Sequence, residues 1–199
     1  MTLYSRRRFL ASGLVVCGAG AGCASSSPAS RFYVLSPATA TASVGVRVSV
    51  APVSVPALVD RPQLVVMTNA NEVRIDEFNR WASPLQDNLS RVIAGNLGPS
   101  PDAMPTGPRT GPAAAQGDCR VEVQVQRMES VAGRQALLDA SWVVRGAVEG
   151  VTKSGHGVYR EPVADESYPA LVAAHSRAVG RLSDDIAVTI RSMAPAGRP

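Results

Sequence analysis

Apolar and polar residues alternate in short runs between residues 44 and 78, a pattern typical of half-buried β-strands. Valine occupies every second position from 44 to 50, an apolar run follows at 64–67, and a second alternating run covers 73–78. Asn69-Ala70-Asn71 separates the last two runs and has the composition of a tight turn. The pattern therefore predicts one isolated strand followed by a β-hairpin.

Three further strands are predicted in the second half of the chain, where they form an antiparallel meander. The first carries valine at alternate positions over 121–126, and a turn at Ala132-Gly133 leads to the second, over 135–148. A turn at 152–155 is predicted to lead to the third, over 157–163. The second strand has apolar residues on one face: Leu138, Ala140, Trp142 and Val144.

A helical period replaces the alternation after Trp81, a residue that we expect to pack at the corner between the preceding strand and a helix. Ser83 stands before Pro84, with Gln86 three positions after Ser83, which predicts an N-cap, a first-turn proline and a capping box. Gly98 and the following proline end the pattern. The apolar stripe comprises Leu85, Leu89, Val92, Ile93 and Leu97, and Asp87, Asn88 and Arg91 are predicted on the other side.

A second, longer helix is predicted over 168–193, again with one apolar stripe. Its stripe comprises Leu171, Ala174, Ala178, Leu182, Ile186, Ile190 and Met193. Two principal helices packed on one face of a mainly antiparallel sheet form an α+β layer architecture. The sequence therefore predicts the α+β class.

The N-terminus has the features of an export signal. Arg6 and Arg7 precede a short, weakly hydrophobic stretch, which fits a twin-arginine signal and is too short to span a bilayer. Small residues precede Cys23, as in a lipobox, so we predict acylation of Cys23 after removal of residues 1–22. Cys17 is the rival acylation site, but the bulky Val16 beside it departs from the usual pattern.

Processing at Cys23 changes what the composition implies. It removes three arginines and no acidic residue, so the formal net charge falls from +4 to +1, and no basic cluster suggests nucleic-acid binding. We predict a flexible tether over 23–31, a single α+β domain over 32–194 with a Pro/Gly-rich loop at 98–118, and a disordered tail at 195–199. Cys119 would then be left alone, which excludes an internal disulfide.

The sequence offers little for catalysis or for metal binding. His156 and His175 have no second histidine or cysteine at metal-ligand spacing, so we predict no metal site and no cofactor. Asp184 and Asp185 are adjacent on a helix and point about 100° apart, which suits a solvated face better than an acid–base pair. Neither a nucleophile elbow nor a phosphate-binding glycine motif is present, so we predict that the protein is not an enzyme.

Three segments together resemble a known family. The run Trp81 to Leu85 (WASPL), the proline-flanked segment 55–65 with its Asp60-Arg61-Pro62-Gln63 core, and the segment 32–35 (FYVL) are similar to the PqiC-like ABC-type transport auxiliary lipoproteins. The resemblance covers most of the mature chain, and its most specific part is 55–97. It implies a lipid-anchored accessory subunit of an ABC-type system that moves lipid between membranes.

The resemblance also implies partners and a location. The partner would be an MCE-domain (mammalian cell entry) transport protein with its membrane complex, and self-association into a ring is a further implication. Ala24 after Cys23 favours sorting to the periplasmic face of the outer membrane. Asp60, Arg61 and Gln63 are candidates for partner docking, although Arg61 could instead form a local salt bridge. Trp81 is a candidate for either core packing or docking.

Two alternative functions belong to other classes. One is a structural envelope lipoprotein that binds the cell wall or an outer-membrane assembly complex. The other is a carrier whose own pocket holds a hydrophobic ligand. The sequence contains neither a recognisable wall-binding motif nor a clear signature of an apolar cavity, so both rank below the transport function.

Overall fold

A computed structural model describes residues 28–38, 44, 46–98, 118–146 and 150–193. The predicted export signal with Arg6 and Arg7, both candidate acylation sites, nearly all of the predicted 98–118 loop and the predicted tail lie outside the described residues.

Seven strands and two helices make up the described part, which confirms the α+β class. The first five elements are β1 (Arg31–Tyr33), β2 (Arg47–Val50), β3 (Gln63–Asn69), β4 (Glu72–Trp81) and α1 (Leu85–Asn96). The remaining four are β5 (Asp118–Val131), β6 (Gln135–Arg145), β7 (Thr152–Pro162) and α2 (Tyr168–Arg191).

The strands form two sheets where the sequence suggested one. The first has the order β1-β4-β3 and the second has the order β2-β5-β6-β7. The β3–β4 hairpin and the β5–β6–β7 meander are antiparallel, as predicted. However, β1 pairs with β4 and β2 pairs with β5 in parallel, so both sheets are mixed. These two short strands lie far in sequence from their partners, and alternation within a strand carries no information about which strand it pairs with.

Both helices cover one face of the second sheet, and the core lies between the helices and that face. The predicted stripe of α1 is buried throughout, as is that of α2 except for the half-buried Met193. In β5 the valines at 121, 123 and 125 face inward, in register with Val144, Trp142 and Ala140 of β6. The opposite face of β5 and β6 carries mostly charged and polar residues, which is the alternation expected of a sheet covered on one side.

The turn predicted at 152–155 is wrong, because these residues belong to β7. The chain reverses earlier: Gly146 N–H donates to Val151 C=O at 2.9 Å, and Gly150 has φ of +86°. Gly155 and Gly157 make room for aromatic side chains in place of a turn. A Cβ on Gly155 would overlap the ring of Trp142, and one on Gly157 would overlap the phenol of Tyr159.

The predicted start of α1 is also wrong in detail. Pro84 occupies the N-cap position, and no side chain caps the helix. The amide of Gln86 donates instead to Asp60 Oδ2 at 3.0 Å, so the predicted capping box with Ser83 does not form. The helix end is confirmed, since Gly98 lies just beyond it with φ of +102°.

Candidate functional site

A cleft opens where β4 ends and α1 begins. It has a volume of about 330 Å³. Three of the four predicted docking residues line it, although they come from two separate parts of the sequence: Asp60, Arg61 and Trp81. The backbone N–H of Trp81 donates to Pro62 C=O at 2.7 Å, and this bond holds segment 60–62 against the end of β4. The remaining wall is formed by Pro62, Ala82, Ser83, Pro84 and Leu85.

The two charged side chains of the cleft, Asp60 and Arg61, differ in their hydrogen bonding. Asp60 accepts the hydrogen bond from Gln86, so its carboxylate is oriented by the first turn of α1. The Nε atom of Arg61 is buried and has no hydrogen-bond partner among the described residues. A buried donor that stays unpaired costs stability. No salt bridge of Arg61 is found in the described part, which argues against the local pairing considered from the sequence.

Gln63 and Trp81 occupy the inner side of this region. Gln63 does not line the cleft; its amide donates to Glu77 Oε2 at 3.1 Å on the neighbouring strand. Trp81 is only 6% exposed and belongs to the main core cluster. Its ring separates the cleft from a second cavity of about 10 Å³, which Gln63 and Leu85 also line. Trp81 therefore packs in the core, as expected, and forms one wall of the cleft.

A second feature was not predicted: side chains of both helices hold the extended segment that follows β1. Leu35 N–H donates to Asn88 Oδ1 at 3.2 Å, Ser36 N–H to Ser176 Oγ at 3.1 Å, and Ala38 N–H to Asn96 Oδ1 at 2.7 Å. We call the segment 35–38 with these three side chains the N-terminal clamp. It holds the segment that follows β1 against both helices.

The prediction that Asn88 lies on the solvated side of α1 is wrong, because Asn88 is fully buried. Segment 35–38 covers this side of the helix, and Leu35 is itself 1% exposed. Arg91 Nη2 donates both to Leu35 C=O at 2.9 Å and to Asn88 Oδ1 at 2.7 Å. The sequence did contain a signal, since Asn88 lies three positions after Leu85 and four before Val92, at the edge of the apolar stripe.

The sequence profile of one family, described as the ABC-type transport auxiliary lipoprotein component, matches residues 33–187. The chain belongs to this family. The match includes the cleft and the whole clamp segment, and it confirms the resemblance drawn from 32–35, 55–65 and 81–85. The family is a transport component and not an enzyme family.

Two crystal structures share the fold of the auxiliary lipoprotein. One, an uncharacterized protein, is 18% identical with a TM-score of 0.64, and the match covers 82% of this chain and 99% of the other. The second is protein XCC0632 from Xanthomonas campestris, of the DUF330 family, at 17% identity and a TM-score of 0.56; it covers 80% of this chain and 95% of the other. No curated protein matches the sequence. At these identities the two structures support the fold alone.

A polar network in the auxiliary lipoprotein joins β1, β4 and the start of α2. Asp76 accepts hydrogen bonds from Tyr168 Oη at 2.6 Å and from the Asn79 backbone N–H at 2.8 Å, and Tyr33 Oη donates to Asn79 Oδ1 at 2.8 Å. Partial burial raises the pKa of Asp76, but the hydrogen bonds from Tyr168, Asn79 and the backbone outweigh it and lower the pKa to about 2. Burial and the neighbouring Asp76 raise the pKa of Tyr168 to about 12.

This network predicts a pH dependence of stability. Because the pKa of Asp76 is lower in the folded state than its ordinary value of 3.8, its contribution is fully present above about pH 4 and is lost as the pH falls toward 2. Asp76→Asn should therefore lower stability at pH 7, and the difference from the parent protein should shrink between pH 4 and pH 2. Urea denaturation across this range measures the difference. Tyr168→Phe should weaken the pH dependence; a constant difference for Asp76→Asn would contradict the assignment.

Within the described residues no group of histidine, cysteine, aspartate and glutamate side chains has an arrangement that could hold a metal ion. His175 is buried, its Nε2 lies 2.8 Å from Ser130 Oγ, and burial lowers its pKa to about 4. His156 lies on β7 beside Asp139, at 2.7 Å between Nε2 and Oδ1. Neither helix that the structure describes has the length and apolar composition needed to cross a bilayer.

Proposed function

We propose that this protein is a lipid-anchored periplasmic accessory subunit of an ABC-type transport system whose MCE-domain component moves lipid between the inner and outer membranes. In this proposal, the acylated Cys23 holds the protein at the outer membrane, and the folded domain docks the end of the lipid conduit. Family membership supports the transport role. The system's ATPase would supply the energy, since this chain has no phosphate-binding motif.

The cleft at the start of α1 is the proposed docking site. The observation that carries this assignment is that Asp60, Arg61 and Trp81 line one cleft, in which Gln86 orients the carboxylate of Asp60. A partner that places a carboxylate or a backbone carbonyl in the cleft would meet the side chain of Arg61 there. Such charge-assisted bonds are strong and directional, which suits the recognition of one specific partner.

The position of β1 supports the proposed anchoring. Eight residues lie between Cys23 and Phe32, so the nine Cα–Cα steps of a fully extended tether reach roughly 30 Å. Two or three acyl chains bury enough methylene groups to hold the protein stably, at about 0.8 kcal/mol per methylene. Because β1 begins at Arg31 and pairs with β4, the tether would leave the domain at a defined place, and the cleft would keep a defined position relative to the membrane.

Affinity purification of the acylated protein from its native envelope, with crosslinking and mass spectrometry, tests this function. We expect an MCE-domain protein to be recovered with crosslinks near residues 55–65. Arg61→Glu should lower this recovery at least about tenfold, since placing a like charge against an acidic partner costs more than about 1.4 kcal/mol. The matched control is Arg160→Glu on the exposed side of β7, which should leave recovery unchanged.

Two other outcomes would contradict the proposal. Unchanged recovery with a correctly folded Arg61→Glu variant, checked by circular dichroism, would place docking outside the cleft. Recovery of only cell-wall or outer-membrane assembly proteins would favour the structural envelope lipoprotein instead.

A further inference from the structure

The strand β7 forms an open edge of the second sheet, in which its neighbour is β6. The β6–β7 pairing runs without a bulge from Thr152 to Pro162. The other three edge strands of the described sheets are shorter: β1 has three residues, β2 has four, and β3 has seven with register shifts near both ends. Shortness and bulges prevent an edge strand from pairing with another chain, and β7 has neither feature. It therefore offers a long, regular edge to a further strand.

Hydrogen bonds at the two ends of β7 show which of its backbone groups face outward. Gly146 N–H donates to Val151 C=O and Val163 N–H donates to Arg134 C=O, in the register of the β6–β7 pairs. Because the backbone groups of successive residues point to opposite sides of a strand, the odd-numbered residues of β7 bond to β6. The five residues whose N–H and C=O groups point away from β6 are therefore 152, 154, 156, 158 and 160. In the described part of the chain these backbone groups have no hydrogen-bond partner.

This free run is symmetric about His156. It ends at Pro162, which has no N–H and whose C=O already accepts a hydrogen bond from Arg177 Nη2. Two copies of β7 can therefore pair antiparallel around a twofold axis at His156, with residue 152 opposite 160 and residue 154 opposite 158 of the other copy. Each of the five opposed pairs then exchanges two hydrogen bonds, and any shifted register leaves fewer pairs.

The charged side chains at this edge are complementary in the same arrangement. Lys153 of one copy comes opposite Tyr159 of the other, and the Tyr159 hydroxyl donates to Asp185 Oδ2 at 2.7 Å. Both Lys153 and Asp185 are exposed. An ammonium group and a carboxylate therefore face each other twice, once on each side of the axis, and such opposite charges favour one specific register.

Three exposed valines lie along this edge. Val151 precedes β7 and Val158 belongs to the free run, and these side chains are 38% and 37% exposed. Val188 is 58% exposed and lies three positions after Asp185 and four before Ser192, the residues through which this face of α2 contacts β7. Exposed apolar side chains that share one surface indicate an interface more strongly than isolated ones do.

We propose that two copies of this protein associate through β7 and form one continuous eight-stranded sheet, with an antiparallel β7–β7 pair at its centre. The inference is independent of the proposed function. The symmetry of the free run and the reciprocal pairing of Lys153 with Asp185 favour a second copy over a strand of another protein. A twofold contact uses the same surface on both copies and closes at two, whereas the ring that the resemblance implies needs a head-to-tail contact.

Disulfide trapping tests the inference with the acylated full-length protein in detergent. His156→Cys places the two introduced thiols at the axis, with a Cα–Cα distance of about 5.5 Å that a disulfide can span. We expect mild oxidation to give a covalent dimer, with the parent protein, whose Cys119 is buried, as the background.

The matched control is Ser154→Cys, which is equally exposed on the same face of β7. Its two thiols would lie roughly 14 Å apart across the axis, so we expect severalfold less covalent dimer. The double variant Ser154→Cys/Val158→Cys brings the introduced thiols opposite each other and should restore the yield. Equal yields from the single variants His156→Cys and Ser154→Cys would overturn the inference.

Val158→Pro tests the backbone pairing. Proline removes an outward N–H and no bond to β6, a position at which an edge strand tolerates it. We expect the Kd of the dimer, measured by analytical ultracentrifugation, to rise at least about tenfold with an unchanged circular dichroism spectrum. The control Val158→Ala keeps the N–H and should stay dimeric. A parent protein that is monomeric at every concentration, one that forms a ring, or a Val158→Pro dimer as tight as the parent's would each overturn the inference.

Discussion

Replacement of Trp81 by alanine is expected to lower the free energy of unfolding by about 3–5 kcal/mol, the usual cost of deleting a large aromatic side chain from a core. Trp81 is 6% exposed and packs in the core cluster that also contains Val59, Leu64 and Leu85. Its ring lies between the cleft of about 330 Å³ and the cavity of about 10 Å³. Without the ring these two spaces would merge, and the neighbouring segments could close the gap only in part.

Thermal unfolding followed by circular dichroism measures this effect, because fluorescence would lose one of the two tryptophans. For a domain of this size the expected fall in Tm is on the order of 10 °C. Trp81→Phe, which keeps an aromatic ring at the site, should lose less than half as much. If Trp81→Ala instead lost only a few tenths of a kcal/mol and abolished recovery of the partner, Trp81 would act in docking and its packing role would be secondary.

Replacement of Asn88 by alanine is expected to cost about 1–3 kcal/mol and to release the N-terminal clamp. The Asn88 side chain is fully buried and accepts hydrogen bonds from Leu35 N–H and from Arg91. Alanine removes the acceptor and leaves both donors without it. Because the bond from Leu35 joins α1 to a segment 53 residues away, its loss should raise the mobility of segment 35–38 more than that of the helix itself.

Hydrogen exchange of the Leu35 and Ser36 amides, read by mass spectrometry together with urea denaturation, checks this prediction. We expect faster exchange in segment 35–38 and little change in β6, which lies at the centre of the second sheet. The control is Asp87→Ala, an exposed neighbour on α1 that should change stability by no more than about 0.5 kcal/mol. Lost stability with unchanged exchange at Leu35 would show that Asn88 supports the helix packing and not the clamp.

The helix α1 connects the two features that matter for the proposed function. Its first turn borders the cleft through Pro84 and Leu85, and its later turns hold the clamp through Asn88 and Asn96. Asn96 also donates to Ser183 Oγ of α2 at 3.1 Å. The clamp and the proposed docking cleft are therefore both attached to α1, which is hydrogen-bonded to α2.

The sequence by itself determined the fold class, the β3–β4 hairpin, the order of the three meander strands and the start of α2, although it placed the turn between β6 and β7 several residues too late. These depend on local periodicity: Val121, Val123 and Val125 alternate because one sheet face is covered, and Leu171 to Ile190 recur because one helix face is buried. It also named Asp60, Arg61, Gln63 and Trp81 as docking candidates, three of which line one cleft in the structure, while their role in docking stays a prediction. These features can be predicted without knowing which elements are neighbours in the fold.

Only the tertiary structure decided the features that depend on distant neighbours. Three such features depend on residues that are distant in sequence: the parallel pairing of β1 with β4 and of β2 with β5, the burial of Asn88, and the space above Gly155 that the Trp142 ring fills. A polar residue at the edge of an apolar stripe can face solvent or a covering segment, and a glycine in a strand can mark a turn or a nearby ring. The local pattern is the same in both cases, because the deciding contact is made by another part of the chain.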